Sequence, residues 1–292
     1  AGHVVENDGK LWTITLRDGL TFHDGTPVRA QDAVASIERW SRIDALGQTL
    51  RATADEITAI SDKALRFRLK RPFPQLPFAL GKPSSVCFIM PERLARTDIS
   101  VQVTEMVGSG PFRFLAPERM AGQRAVYEKF AGYVPRSEPP SFFAGGKVAK
   151  VDRVEWHTIP DASTAAAALQ SGEMDWWEQP IPDLLPALRR ARGVTVAVKD
   201  RGGYLGMIRF NHLHPPFDNP AIRRAFLAGV DQADYMTATM GTDRSLWQDK
   251  VGFFTPGSTV ANDAGMEAMT SPRSLDRVKR ALEEAGYKGE KV

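Results

Sequence analysis

The run from Leu11 to Val28 constrains the fold of this chain more than any other stretch. Trp12, Ile14 and Leu16 alternate with Thr13, Thr15 and Arg17, the two-residue period of a strand with one buried face. Asp18-Gly19 and Asp24-Gly25-Thr26-Pro27 supply turns that bracket a second short strand. An amphipathic helix is expected to start at Gln31, with Ala33, Ile37 and Trp40 at helical spacing along its stripe. The unit reads strand, turn, strand, turn, helix.

Other segments extend the pattern. The stretches 56–60 and 65–69 alternate around Ser61-Asp62-Lys63, a hairpin signal, and 71–78, with three prolines, reads as a loop leading into a short helix. A second hairpin is expected from 112–115 and 124–128 around Met120-Ala121-Gly122, and 132–150 reads as a long surface excursion rich in Pro, Gly and Ser. An extended segment from Val151 to Ile159 follows. Asp161 is placed to cap a helix that Gly172 ends in the left-handed region. Strands at 175–177 and 194–198 flank a helix over 182–190, an α/β alternation, and 204–210 reads as another strand. Asn219 with Pro220 starts a helix whose stripe is Ile222, Ala225, Phe226 and Gly229. Ser271 with Pro272 repeats that logic, and Gly286 terminates the last helix.

At 292 residues and 42% hydrophobic, the chain exceeds the size at which one core keeps growing, so two lobes or more are expected. Its 38 basic and 35 acidic side chains are interspersed, and a net charge of +3 is too mild and scattered for a nucleic-acid footprint. The single cysteine, Cys87, lies in the apolar run 86–90, which reads as a buried strand holding a structural thiol. No run approaches the roughly 18 consecutive apolar residues of a membrane span. Ala1-Gly2-His3 has neither a basic nor an apolar signal region, so any export signal is expected to have been removed or to lie upstream.

Four segments occur in one order: the opening unit, Gly108-Ser-Gly-Pro-Phe112, Ala168-Leu-Gln-Ser-Gly-Glu-Met-Asp175, and Asn211 leading to the 216–225 run. In that order the chain resembles the extracytoplasmic solute-binding proteins of ABC importers, family 5, the peptide/nickel-binding type. The resemblance runs from Leu11 to Gly289. It implies an α/β, periplasmic-binding-protein-like (class II type) two-lobe architecture with a β-rich accessory subdomain. Residues 1–108 would form that subdomain, 109–228 the α/β sheet part of lobe I, and 229–292 the start of a truncated lobe II. The chain is therefore expected to be a fragment. The implied function is reversible capture of a small solute, peptide-like, opine, glycan or metal chelate, in an inter-lobe cleft for delivery to ABC permease subunits. The implied location is periplasmic or at the cell surface, with no cofactor and no bond made or broken. The 128–133 segment departs from the family, which commonly has an asparagine before its aromatic pair.

Candidate ligand contacts follow from the resemblance. Tyr204, Arg209 and Asn211 would sit on a strand ending near the cleft, where a guanidinium and an amide suit a carboxylate or peptide backbone. The alternatives are that Arg209 pairs with a surface acid and that Tyr204 only packs. One ring of Trp176-Trp177 is expected in the core, and Trp177 is taken as the candidate contact. Lys82, Ser84 and Ser85 could present an ammonium and hydroxyls, against the plainer reading of a loop. His212 and His214 could face one side of an extended segment as metal ligands, but without a third ligand a solvated turn is the stronger reading. Glu173 and Asp175 read as part of a helix-to-strand turn rather than an acid/base pair, and Ser109 lacks the nucleophile-elbow context. His23 reads as a local hydrogen-bonding residue. No catalytic residue and no metal site is expected. A sensor domain on the same fold and a hydrolase using Glu173, Asp175 or a histidine are the rival readings.

Overall fold

A computed structural model describes residues 2–141 and 144–291. In it the Trp12 alternation builds one strand of a four-stranded antiparallel sheet. Strands β1 (Gly2–Glu6), β2 (Leu11–Thr15), β3 (Ala54–Ser61) and β4 (Ala64–Leu69) lie in the order β1-β2-β4-β3. The register aligns Val5, Trp12, Phe67 and Ile57 in one row. Because side chains alternate across a strand, the row shares one face, with Trp12 and Phe67 buried, Ile57 packed against the core and Val5, on the edge strand, exposed. The expected 61–63 hairpin is present, with Ser61 Oγ accepting from the Lys63 and Ala64 amides at 3.3 and 3.1 Å.

Helix α1 (Ala30–Trp40) covers this face with Ala30, Ala33, Ile37 and Trp40, all buried. It begins one residue before the expected Gln31, where the Arg29 amide donates to Asp32 Oδ2 at 2.7 Å. The expected second strand of the opening unit contracts to a single bridge, Thr21 to Pro27, above a buried Phe22. The turns on either side leave too few residues for a ladder, and Pro27 has no N–H to extend one. Helices α2 (Ala45–Thr53), α3 (Leu76–Gly81) and α4 (Glu92–Ala95) complete this part.

The expected strand at 86–90 is irregular instead. Its backbone is taken by side chains of α1: Ser36 Oγ donates to the Met90 carbonyl at 3.2 Å and accepts from the Met90 amide at 3.0 Å. Asp32 Oδ1 accepts from the Glu92 amide at 2.7 Å, and Trp40 Nε1 donates to the Ser85 carbonyl at 2.7 Å. Asp32, Ser36 and Trp40 are four residues apart, so they line one face of the helix and strap the 85–92 segment along it. Cys87 is buried as expected.

The second hairpin also forms. Strands β5 (Phe112–Phe114), β6 (Arg124–Lys129) and β7 (Arg153–His157) make a three-stranded antiparallel sheet with fully buried Val126 on the central strand. Phe142 and Phe143, within the expected surface excursion, lie outside the described residues. The chain forms two compact units, residues 1–158 and 159–292, and both sheets belong to the first.

The second unit is helical. Asp161 Oδ1 accepts from the Thr164 amide at 2.7 Å to cap α5 (Ala162–Ser171), and Gly172 ends it at φ +79°, as the sequence predicts. A 3-10 turn over Pro182–Leu184 runs into α6 (Leu185–Arg190). Asn219 caps α7 (Pro220–Leu227), its Oδ1 accepting from the Ala221 amide, while its Nδ2 donates to the Ala285 carbonyl at 2.9 Å. Asp231 caps α8 (Gln232–Met240), and α9 (Glu267–Thr270) is a single turn. Helix α10 (Leu275–Glu284) is capped by Ser274, three residues beyond the expected Ser271, because Ser274 Oγ is the hydroxyl that meets the Arg277 amide. Gly286 terminates it as expected.

The strands expected at 175–177, 194–198 and 204–210 are not strands in this structure. Strand propensity is realised only against a hydrogen-bonded neighbour, and no ladder engages these segments among the described residues.

Candidate ligand-binding residues

The expected contacts fall into two sets, one in each unit. In the first unit, α3 ends at Lys82, which is 12% exposed and does not reach into solvent. Its Nζ lies 2.5 Å from Asp44 Oδ2 and 6.0 Å from the centre of the Trp40 ring. Asp44 caps α2, its Oδ1 accepting from the Gly47 amide at 3.0 Å. Burial works to raise the Asp44 carboxyl, but the hydrogen bonds from Lys82 and the Gly47 amide outweigh it and hold the group below the usual range. Ser84 and Ser85 follow on an exposed loop that the Trp40 indole fixes through the Ser85 carbonyl. Ser85 adopts φ +47°, the left-handed region that a non-glycine residue enters rarely. The loop thus presents two hydroxyls from a braced backbone. Asp44, the partner that braces it, escaped the sequence reading, although an aspartate directly before a helical run is a capping signal.

In the second unit, Trp176 is 75% exposed and Trp177 half-buried, so neither ring lies in the core, against the expectation that one would, and the candidate Trp177 is the less exposed of the two. Tyr204 is 87% exposed, and its hydroxyl accepts from Gln179 Nε2 at 2.9 Å. Arg209 is exposed and forms no ion pair among the described residues. Asn211 is committed locally, its Oδ1 accepting from the Leu213 amide at 3.1 Å in an Asx turn. Taken singly, the exposed Trp176 and Tyr204 rings can stack on an apolar group and the Arg209 guanidinium can fork onto a carboxylate; Gln179 ties Tyr204 to the segment that carries the tryptophans.

The histidines belong to neither set. His212 and His214 are exposed in the turn before α7, and no group of three or more metal-ligating side chains occurs among the described residues. Glu173 and Asp175 lie exposed in the turn after α5. His23 does not bond within its own turn: its ring meets the backbone of Gly108 and Gly110, 85 and 87 residues further along the chain. No helix among the described residues is long and apolar enough to cross a membrane.

Comparison with known proteins agrees with this architecture. The chain shares 37% identity over 290 residues with a probable peptide ABC transporter periplasmic-binding protein, y4tO, of Sinorhizobium fredii, covering 99% of this chain and 54% of that protein. The glutathione-binding protein GsiB of Pectobacterium atrosepticum is 26% identical over 288 residues, covering 97% of this chain and 51% of its own length. Among solved structures, the periplasmic binding protein DppA of Helicobacter pylori in complex with peptide STSA superposes with a TM-score of 0.73 at 22% identity, covering 98% of this chain and 56% of that one. AgaA of A. tumefacien R10 in complex with agropinic acid gives 0.71 at 24%, covering 98% and 54%. The chain spans about half the length of the curated relatives it matches. It has the α/β fold of periplasmic binding proteins over the shared residues. Since the family model for bacterial extracellular solute-binding proteins, family 5 Middle, matches residues 1–292, the chain belongs to that family.

Proposed function

We propose that this chain is part of the substrate-binding component of an ABC importer, which captures a small peptide-like solute reversibly outside the cytoplasm and passes it to permease subunits in the membrane. The observation that carries the reading is the 37% identity to a protein named as a probable peptide ABC transporter periplasmic-binding protein. Relatives named for glutathione and a structure solved with peptide STSA support a peptide-like solute; agropinic acid and Fe(III)-EDTA in other structures extend the class to opines and metal chelates.

In this reading Arg209 forks onto a solute carboxylate, Tyr204 and Trp177 pack against its apolar part, and Asn211 shapes the turn beyond them. Within the first unit, taken by itself, Ser84 and Ser85 are the hydroxyls offered to a solute, and Lys82 positions their loop through Asp44. The same reading makes 1–108 an accessory subdomain, 109–228 the body of one lobe and 229–292 the opening of the other. Capture makes and breaks no covalent bond.

Native mass spectrometry of the protein purified without refolding from its own source tests the proposal. A discrete small-molecule mass that leaves on partial unfolding is the expected result. An empty protein that also gives no calorimetric signal with di- to pentapeptides, glutathione, opines or metal chelates overturns it.

A further inference from the structure

The His23 ring is held by the backbone of one short segment. Gly108 N–H donates to Nδ1 at 3.3 Å, and Nε2 lies 3.1 Å from the Gly110 carbonyl. The His23 amide donates in turn to the Gly108 carbonyl at 2.8 Å. For Nδ1 to accept from the Gly108 amide it must carry no proton, which is the tautomer whose one proton is on Nε2, facing the Gly110 carbonyl. Phe130 closes the edge of the ring at a centroid distance of 5.1 Å. A Cβ on residue 108 would lie 3.4 Å from His23 Cε1, ordinary van der Waals contact, so the backbone of this segment lies directly against the ring. Residues 108–110 lead directly into β5 and connect the part of the first unit built on the four-stranded sheet to the part built on the three-stranded sheet.

We propose that His23 is a proton-operated latch on the 108–110 segment, closed when the imidazole is neutral and released when it takes a second proton. Protonation turns Nδ1 into a donor that faces the Gly108 N–H, so an attraction becomes a donor–donor repulsion. The ring must then rotate away or the segment must shift, and the Nε2 contact to Gly110 goes with it.

Charged groups of both signs flank the latch. Asp24 follows His23 in the chain, and Glu105 precedes the latched segment. Arg93 links the two, 2.8 Å from Glu105 and 3.5 Å from Asp24. On the Phe130 side, Lys129 lies 4.0 Å from Asp152, and the Arg17 guanidinium donates to the Val134 carbonyl at 3.0 Å.

The test is nuclear magnetic resonance of the full chain titrated from about pH 8 to about pH 5, the window in which histidine changes charge. The Gly108 amide and the His23 ring signals are expected to move with one common midpoint. Across it, hydrogen exchange of the Gly108 amide, corrected for the intrinsic pH dependence, should accelerate about tenfold while amides of β4 stay unchanged. His23→Gln, which keeps a polar side chain without the titration, should show a pH-independent Gly108 amide. A Gly108 amide that ignores the His23 titration in the unmodified chain overturns the proposal, whether or not the variant folds. An equal acceleration in a folded His23→Gln variant also overturns it.

Discussion

Lys82 shows why a residue's chemistry cannot be assigned before its partner is known. A lysine beside two serines on a loop reads as a ligand contact, yet its ammonium sits against Asp44 with only 12% of the side chain exposed. Buried pairs are costly to break from one side, since the remaining charge keeps its desolvation penalty. Lys82→Met is therefore expected to destabilise the first unit by about 3 kcal/mol, read as a drop in the urea midpoint, and adding Asp44→Asn should recover part of the loss. The pH dependence follows from the lowered Asp44 carboxyl. Its stabilisation is present above the unfolded value of about 3.9 and disappears as pH falls through the still lower folded value, so the unmodified protein should lose stability in that acid range more steeply than the double variant. Cys87 belongs to the same neighbourhood. Burial, and secondarily the Asp44 charge, push its thiol up to about 12, so it carries almost no thiolate at neutral pH. A disulfide reagent at about pH 8 should leave the native protein unlabelled and react fully once urea unfolds it; rapid labelling of native protein would contradict the burial.

The elements written in local chemistry were legible in the sequence, and those that depend on a distant neighbour were not. Asp161, Gly172, Asn219 and Gly286 mark helix ends because the cap bonds lie within a few residues. Gly172→Ala should cost about 1 kcal/mol although a methyl there meets no atom within 4 Å, since the penalty is the left-handed backbone alone. The strand periodicity of 194–198 and 204–210 was equally visible, but a periodicity names the face a strand would present and not the strand that pairs with it. The 86–90 run failed for a sharper reason. Ser36 and Asp32, polar residues on the buried face of α1, compete for its backbone, and that competition could have been suspected from their four-residue spacing. Ser36→Ala removes both bonds to Met90 and should destabilise by about 1–3 kcal/mol, with faster hydrogen exchange concentrated in 86–92. Uniform loss of protection across the four-stranded sheet would instead mean that Ser36 supports the core and not the strap. The candidate site was legible to the same degree. Residue types at 204, 209 and 211 are right for a carboxylate and an apolar group, while the Asx turn that occupies Asn211 and the Gln179 bond to Tyr204 needed coordinates.

At the scale of the molecule, two compact units raise the question of which carries its own stability. The core that includes Trp12, Ile37, Leu50, Leu65, Phe67 and Leu76 lies wholly within residues 1–158. So do both sheets and the backbone strap on α1. The second unit differs: Trp176, Tyr204, Met207, Ile208 and Leu213 are all more than half exposed, and among the described residues its buried apolar residues number nine against eighteen in the first. Hydrophobic burial is the main favourable term in folding, and its share here is concentrated in the first unit. Residues 1–158 expressed alone should therefore fold cooperatively, with amide chemical shifts matching those of the same residues in the full chain and a urea midpoint at or above that of 159–292 measured separately. The exposed indole of Trp176 supplies an internal check in the full chain, since its emission should be quenched by iodide while that of Trp12 and Trp40, each 7% exposed, should not. A collapsed 1–158 without dispersed amides would show that the second unit supplies packing the first cannot do without, and would shift the fold's centre of stability toward its helical half.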